Sequence, residues 1–217
     1  EVCREVAPHI RVVFASTRQI YGRPHYLPVG EQHPLQPVDV NGVNKLAGEQ
    51  YHLLYSRVYG IRSTVLRLTN TYGPRMLPND GRVVSNFIVQ ALKGEALTLY
   101  GDGSQTRSFC YVDDLVEGMI RLMNGSHTGP MNIGNPGEFT IRELAELIRE
   151  RVNPGLNLIE KPLPADDPLQ RQPIIDLAER ELGWKPTISL ENGLLPTIDW
   201  FRKVLAEQPA QSAGDKS

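Results

Sequence analysis

The sequence lacks any long apolar run: no stretch approaches the ~18 consecutive apolar residues of a membrane helix. It also lacks clusters of like charge, since 23 Lys and Arg stand against 25 Asp and Glu, a formal net charge of −2. A nucleic-acid surface needs clustered Lys and Arg, so no nucleic-acid partner is expected. Two cysteines, Cys3 and Cys110, cannot by themselves form a disulfide framework or a metal site. A cytoplasmic, reduced protein that binds neither a membrane nor a metal is expected.

The first third of the sequence has the pattern of a parallel α/β protein. "IRVVFAS" (10–16) is rich in β-branched apolar residues, which is typical of a buried strand. A helical pattern runs from Val43 to Tyr59 and stops at Gly60. "RSTVLRLTN" (62–70) is a second buried strand, and strand–helix–strand order predicts parallel pairing. The loop before the helix is long and rich in Pro and Gly, and loops of that length are usually functional.

Further helices are predicted along the rest of the chain. One covers 83–94, and another covers 113–125 with Asp113 as its N-cap. A third covers 140–152, where Thr140 and Glu143 have the spacing of a capping box. The opening "EVCREVAP" is typical of the end of a helix, so the sequence is expected to begin inside a domain.

Long ordered runs carry a resemblance to a known family. They are "YGPRMLPNDGRVVSNFIVQAL", "YGDGSQTRSFCYVDDLVEGMIRLMN", "DDPLQRQP" and "LGWKP". With these runs the chain resembles the nucleotide-sugar branch of the extended short-chain dehydrogenases, which includes epimerases, 4,6-dehydratases and decarboxylases of NDP-sugars. Within that branch the runs are most similar to those of UDP-glucuronate decarboxylases, whereas the first 70 residues fit the wider family better.

The resemblance implies an α/β fold: the C-terminal part of a Rossmann-type doubly wound parallel sheet, plus a smaller α+β nucleotide-sugar-binding domain. Residues 1–74 would belong to the NAD-binding domain and 75–208 to the nucleotide-sugar-binding domain, with 111–134 returning to the first. Residues 209–217 would form a disordered tail. The family's Gly-x-x-Gly-x-x-Gly turn, which cradles the NAD pyrophosphate, is absent from the sequence. The chain is therefore expected to supply one wall of the cofactor site.

The resemblance also implies catalytic residues. Thr17 would hydrogen-bond the sugar hydroxyl that is oxidised, and Lys45 would bind the nicotinamide ribose. The family's Tyr-x-x-x-Lys falls on Asn41 and Lys45, so Thr17, Asn41 and Lys45 would face the cofactor. Gln19 stands where the decarboxylases have Glu, and Arg18 where they have Ser. Thr17, Gln19, Asn41 and Lys45 are thus the predicted catalytic residues.

Asn41 raises the question of the general base. An amide does not titrate, and loss of a general base typically costs ~10²- to 10⁴-fold in rate. Three alternatives stay open. Tyr21 or Tyr26 could serve as the base, the register could be shifted, or the chain could bind a nucleotide sugar without efficient turnover.

Polar residues that match the family's substrate contacts are predicted to bind the sugar diphosphate. Helix N-termini and arginines both suit phosphate groups. The predicted substrate-binding residues are Asn70, Arg82, Asn86, Gln105, Arg107 and Arg171. The pattern around Arg171 departs from that of the decarboxylases, because Ile174 stands where they have Asp.

The resemblance implies an NAD-dependent enzyme, and UDP-glucuronate decarboxylation to UDP-xylose through a C4-keto sugar is the best match. An NDP-sugar 4-epimerase of the same family is one alternative. A truncated, non-catalytic nucleotide-sugar-binding module is the other, favoured by Asn41. The partner would be a UDP-sugar, and a homodimer is expected because family members commonly dimerise through the helix that carries the Lys.

Overall fold

The computed structural model describes residues 1–162 and 172–207. A 3₁₀ turn, Arg18–Tyr21, follows the first strand. The helices and strands are, in chain order, α1 Val2–Val6, β1 Arg11–Thr17, α2 Val40–Tyr59, β2 Arg62–Leu68, β3 Asn70–Tyr72, α3 Val83–Leu92, β4 Leu97–Tyr100, β5 Thr106–Tyr111, α4 Val112–Asn124, β6 Pro130–Ile133, β7 Glu138–Thr140, α5 Ile141–Val152, β8 Leu158–Lys161, α6 Asp176–Leu182 and α7 Leu190–Glu207.

The chain divides into two compact units. The first unit comprises Glu1–Thr71, Gln105–Phe139 and 172–188. The second comprises Tyr72–Ser104, 140–162 and 189–207. The functional division into a cofactor domain and a sugar domain stays a prediction. Residues 209–217, the predicted disordered tail, lie outside the described residues.

The first unit contains a parallel sheet with the strand order β1-β2-β6. Strand β1 pairs with β2 from Arg11 opposite Arg62 to Thr17 opposite Leu68. Since α2 makes the connection between them, the two strands run in the same direction, as the sequence predicts. The predicted second strand is too long, because β2 ends at Leu68 and a separate strand, β3, begins at Asn70.

A carboxylate at the start of α4 connects this helix to the segment around Trp184. The Asp114 Oδ2 atom accepts hydrogen bonds from the backbone N–H groups of Thr187, at 3.0 Å, and Ile188, at 2.9 Å. The indole N–H of Trp184 donates to the Asp114 carbonyl at 2.9 Å. The prediction of Asp113 as N-cap is wrong: α4 begins at Val112, so Asp113 lies in its first turn.

The second unit is built on a two-stranded parallel sheet, β4 with β8, against which α3 and α5 contribute buried apolar side chains. The predicted capping box is confirmed, since the side chains of Thr140 and Glu143 each bond the other's backbone N–H. Pro196 lies inside α7 without ending it. None of the helices in the described part of the chain has the length and apolar character needed to cross a membrane.

A buried ion pair connects β2 to α2 in the first unit. Arg67 and Glu49 are 2% and 0% exposed. The Arg67 Nε–H donates to Glu49 Oε2 at 3.2 Å, and Arg67 Nη2 bonds the other carboxylate oxygen, so the pair is bidentate. The Ser16 hydroxyl on β1 donates to Glu49 Oε2 at 3.0 Å. Two charges removed from water are tolerated only when they satisfy each other in this way.

Further hydrogen bonds extend this pair into the loop before α2. Arg67 Nη1 donates to the Tyr21 hydroxyl at 3.0 Å and to the Glu31 carbonyl at 2.8 Å. The Tyr21 hydroxyl donates to Asn132 Oδ1 on β6 at 2.7 Å. The Asn132 amide donates to two backbone carbonyls in turn. One polar network therefore joins three strands, a helix and a loop.

We predict that Glu49→Gln destabilises the protein by about 3–5 kcal/mol, because Arg67 is then buried without a counter-charge. Urea unfolding followed by circular dichroism measures the change. Glu117→Gln is the matched control: it breaks an ion pair to Arg121 whose side chains are 50% and 43% exposed, and exposed pairs contribute at most about 1 kcal/mol. Equal losses in the two variants would contradict the prediction.

Candidate functional site

Thr17 is the last residue of β1 and lies at the carboxyl end of the parallel sheet. Its hydroxyl oxygen accepts a hydrogen bond from the Gln19 backbone N–H at 3.3 Å and so caps the 3₁₀ turn that follows. In open parallel α/β sheets, ligands bind outside the carboxyl ends of the strands. Thr17 is half-buried. It therefore lies, partly accessible, at the edge of the sheet where a ligand is expected.

Polar side chains from the turn and from the start of α2 meet next to Thr17. Gln19 Oε1 accepts from the Asn41 amide and, at 3.4 Å, from the Thr17 hydroxyl. Gln19 Nε2 donates to Asp39 Oδ2 at 3.2 Å. The structure thus brings three of the predicted catalytic residues, Thr17, Gln19 and Asn41, into one hydrogen-bonded cluster. The member of this cluster that sequence reasoning missed is Asp39.

Asp39 and Gly42 fix the start of α2 against the turn. Asp39 is the N-cap, and its Oδ1 accepts from the Gly42 N–H at 2.7 Å. A Cβ at Gly42 would lie 2.9 Å from the Gln19 carbonyl oxygen and 2.9 Å from Pro37 Cβ. Because backbone atoms cannot easily give way, only glycine allows the helix to begin so close to Gln19. This approach holds Asn41 within hydrogen-bond reach of Gln19.

Lys45 lies one helical turn after Asn41 and contacts β1. Its ammonium donates to the Ala15 carbonyl at 2.8 Å and lies 5.3 Å from the centroid of the Phe14 ring. Three residues further on, a Cβ at Gly48 would lie 2.5 Å from the same ring, so glycine allows α2 to pack closely on β1. An ammonium has three N–H donors, so Lys45 keeps donors for a ligand at this edge.

Tyr21 is not suited to replace the missing base. It is 4% exposed, and its hydroxyl both donates to Asn132 and accepts from Arg67. Burial raises the pKa of Tyr21 to about 12, so the phenol keeps its proton at neutral pH. Tyr26 is instead 53% exposed, with its ring 4.5 Å from that of His33.

We predict that Tyr21 contributes stability that is lost in alkaline solution. The folded-state pKa of about 12 lies above the ordinary value of 10.0 for a tyrosine, so the contribution is complete below the unfolded pKa and falls as pH rises toward 12. Between about pH 9 and about pH 11 the wild type should lose about 1 kcal/mol more unfolding free energy than Tyr21→Phe does. Urea unfolding at both pH values checks this, and equal losses in the two proteins would refute it.

The predicted substrate-binding residues are distributed over both units. In the first unit, Asn70 begins β3 and is half-buried, while Gln105 and Arg107 lie near the start of β5 and are 4% and 6% exposed. Arg107 Nη1 donates to the Thr106 carbonyl at 2.8 Å. A diphosphate-binding role for these residues stays a prediction.

The remaining predicted substrate residues lie in the second unit or outside the described residues. In the second unit, Arg82 is the N-cap of α3 and pairs with Asp80 at 3.2 Å. Asn86, one turn into that helix, donates to the Gly81 carbonyl at 3.3 Å. Arg171 lies outside the described residues.

A small cavity of ≈ 30 Å³ lies beside the 3₁₀ turn in the first unit. Its polar lining comprises Arg18, Tyr21, Thr69, Asn132 and Gln172. One sequence feature points to this cavity, namely Arg18, which stands where the decarboxylase pattern has serine. The other lining residues come from distant parts of the chain, which a single sequence does not bring together.

Comparisons with known proteins identify the family of this chain. The family model of the "NAD dependent epimerase/dehydratase family" matches residues 1–134. UDP-glucuronic acid decarboxylase 3 of Arabidopsis thaliana is 49% identical over 197 residues, which are 88% of this chain and 58% of the relative. UDP-glucuronic acid decarboxylase 1 of Danio rerio is 45% identical over 91% of this chain and 49% of the relative. The chain thus spans 58% and 49% of the lengths of these two relatives.

Solved structures are similar over most of the chain. The UDP-glucose 4-epimerase of Thermotoga maritima with UDP-glucose has a TM-score of 0.84 and 34% identity, over 89% of this chain and 63% of that one. The UDP-glucuronic acid 4-epimerase of Bacillus cereus with UDP-glucuronic acid and NAD has a TM-score of 0.83 and 28% identity, over 93% and 65%. These similarities confirm the predicted Rossmann-type α/β fold.

Proposed function

Because this chain belongs to the NAD dependent epimerase/dehydratase family, we propose that the protein carrying it is an NAD-dependent enzyme that converts UDP-glucuronate to UDP-xylose. The observation that carries the proposal is the 43–49% identity to UDP-glucuronic acid decarboxylases over 88–95% of the chain. The cluster of Thr17, Gln19 and Asn41 at the carboxyl end of β1 supports a sugar site at that edge.

Residues of this chain fit one side of an NAD site. Lys45 is held by one hydrogen bond to the Ala15 carbonyl, so its other N–H groups can bond ribose hydroxyls. Thr17 and Asn41 lie at the same end of β1 and would face the nicotinamide. Bound NAD would supply the oxidation at C4 of the sugar and the reduction that completes the cycle. The Gly-rich pyrophosphate turn of the family is not in this sequence.

The side chains at β1 would then orient the sugar for loss of CO₂. The Thr17 hydroxyl would hydrogen-bond the C4 hydroxyl. Once C4 is a ketone, the C6 carboxylate is β to a carbonyl, so its C–C bond breaks with the electron pair passing to the C4 oxygen as an enolate. Protonation at C5 and reduction at C4 would give UDP-xylose.

Proton removal from the C4 hydroxyl is the step for which this site is poorly equipped. Asn41 and Gln19 are amides and do not titrate at neutral pH. Asp39 is the ionisable member of the cluster, but both of its oxygens already accept hydrogen bonds, from Gly42 and Gln19. We therefore expect C4 oxidation to be slow compared with that in an enzyme with a tyrosine base.

For the UDP diphosphate we propose the residues that match the family pattern: Asn70, Arg82, Asn86, Gln105, Arg107 and Arg171. Arg107 fits this set by its chemistry, since the fork of N–H donors on a guanidinium matches two oxygens of a phosphate group.

Product analysis tests the proposed reaction. The protein is incubated with UDP-glucuronate and NAD, and the products are identified by NMR and mass spectrometry. Release of CO₂ with formation of a UDP-pentose is the expected result. A product of unchanged mass would instead identify a 4-epimerase, the alternative that the epimerase neighbours favour. Saturable binding of UDP-glucuronate without any product would indicate the non-catalytic binding module, which Asn41 favours.

We predict that Asn41→Tyr raises the turnover of UDP-glucuronate by about 10²- to 10⁴-fold, because it restores a titratable phenol beside Lys45. Asn41 is exposed, so the larger side chain does not need to enter the core. Asn41→Phe is the matched control, which adds the ring without the hydroxyl and should not raise turnover. Equal rates for the wild type and Asn41→Tyr would show that position 41 does not limit the reaction.

We also propose a homodimer formed through α2. Apolar side chains exposed along this helix include Val40, Val43, Tyr51, Leu54 and Val58, and their helical spacing supports a shared surface. A cytoplasmic location is proposed because both cysteines, Cys3 and Cys110, are free thiols.

A further inference from the structure

The cavity beside the 3₁₀ turn has the size of a carboxylate group. Its ≈ 30 Å³ holds about two water-sized groups, since a single water needs about 10–15 Å³. It lies next to Thr17, because Arg18, the following residue, lines it. The cavity is thus lined by the residue that follows β1, at the end of the sheet where a ligand is expected.

Arg18 is the charged residue of this lining. No hydrogen bond or ion pair joins its guanidinium to any other residue in the described ranges 1–162 and 172–207. Arg67, by contrast, has a bidentate carboxylate partner. A half-buried guanidinium without an acidic partner favours an anion, and its planar donors match the two oxygens of a carboxylate.

Most other polar groups of the lining already form hydrogen bonds with other protein groups. The Tyr21 hydroxyl donates to Asn132 Oδ1, and the Asn132 amide donates to backbone carbonyls. Gln172 Nε2 donates to the Pro136 carbonyl at 3.0 Å. The Thr69 hydroxyl is different: it is buried and has no hydrogen-bond partner within the described part of the chain. Such a group is costly unless a ligand completes its hydrogen bonding.

We propose that Arg18 determines specificity by binding the C6 carboxylate of a uronic-acid sugar, with the Thr69 hydroxyl donating to the same group. This assignment rests on the proposed function, in which Thr17 contacts the C4 hydroxyl. C6 is attached to C5, the ring atom next to C4, so the residue next to Thr17 is well placed for it. A sugar with a hydroxymethyl group at this position leaves Arg18 without a counter-charge.

Binding of two UDP-sugars that differ only at C6 tests the proposal. The affinities of the NAD-loaded protein for UDP-glucuronate and for UDP-glucose are measured by calorimetry. The wild type should prefer UDP-glucuronate. Arg18→Gln should weaken UDP-glucuronate binding by about 10- to 100-fold and leave UDP-glucose binding within about twofold, because a charge-assisted hydrogen bond is lost. Thr69→Val should weaken UDP-glucuronate binding by about 2- to 10-fold.

Arg180→Gln is the matched control, since it removes an exposed arginine of the same unit that pairs with neighbouring Glu181. It should change neither affinity. Arg18→Lys keeps the charge without the planar fork and should bind UDP-glucuronate with an affinity between those of the wild type and Arg18→Gln. This second variant keeps the test valid if Arg18→Gln fails to fold. If the wild type binds both UDP-sugars equally and Arg18→Gln does too, the assignment of Arg18 is wrong while nucleotide-sugar binding stands. If the wild type binds neither, the proposed function fails and the assignment fails with it.

Discussion

The ion pair between Arg67 and Glu49 is the interaction on which the first unit depends. It joins the middle strand of the sheet to α2, and Ser16 attaches the same carboxylate to β1. Each charge is tolerated in the interior only because the other is present. Strand order, helix position and the course of the loop before α2 are therefore coupled through one pair of side chains.

This coupling reaches the candidate site because Glu49 and the predicted site residues share a helix. Asn41 lies two turns before Glu49 on α2, and Lys45 lies one turn before it. Their positions relative to β1 are fixed at one end by Asp39 and Gly42, and at the other by the buried carboxylate. The site at the end of β1 is thus held by a helix that cannot slide or rotate without breaking a buried charge pair.

Local sequence signals predicted those parts of the fold that are determined by interactions between residues close together in the chain. The strand at 10–16, the helix ending at Gly60, the parallel pairing and the Thr140 capping box all depend on nearby residues, and all are confirmed. The start of α4 was missed because its N-cap, Tyr111, makes no side-chain capping bond, whereas the predicted cap, Asp113, lies in the first turn beside Asp114. Only the position of the segment around Thr187 distinguishes them.

The parts of the site that sequence reasoning missed depend on residues far apart in the chain. Tyr21 was a reasonable candidate base until its partners, Arg67 and Asn132, were known. In the sequence, Arg18 is distinguished only by its departure from the family pattern. Its proposed role in binding an anion depends on Thr69 and Gln172, which line the same cavity. No rule of sequence spacing relates these two residues to Arg18.

Arg18 would also influence how fast the sugar reacts. An arginine that holds a carboxylate stabilises the anion, yet decarboxylation converts that anion into neutral CO₂. Stabilising the starting state more than the transition state raises the barrier. The side chain that selects an acidic sugar would therefore slow the loss of its acid group, and the balance between recognition and release would be set at this one residue.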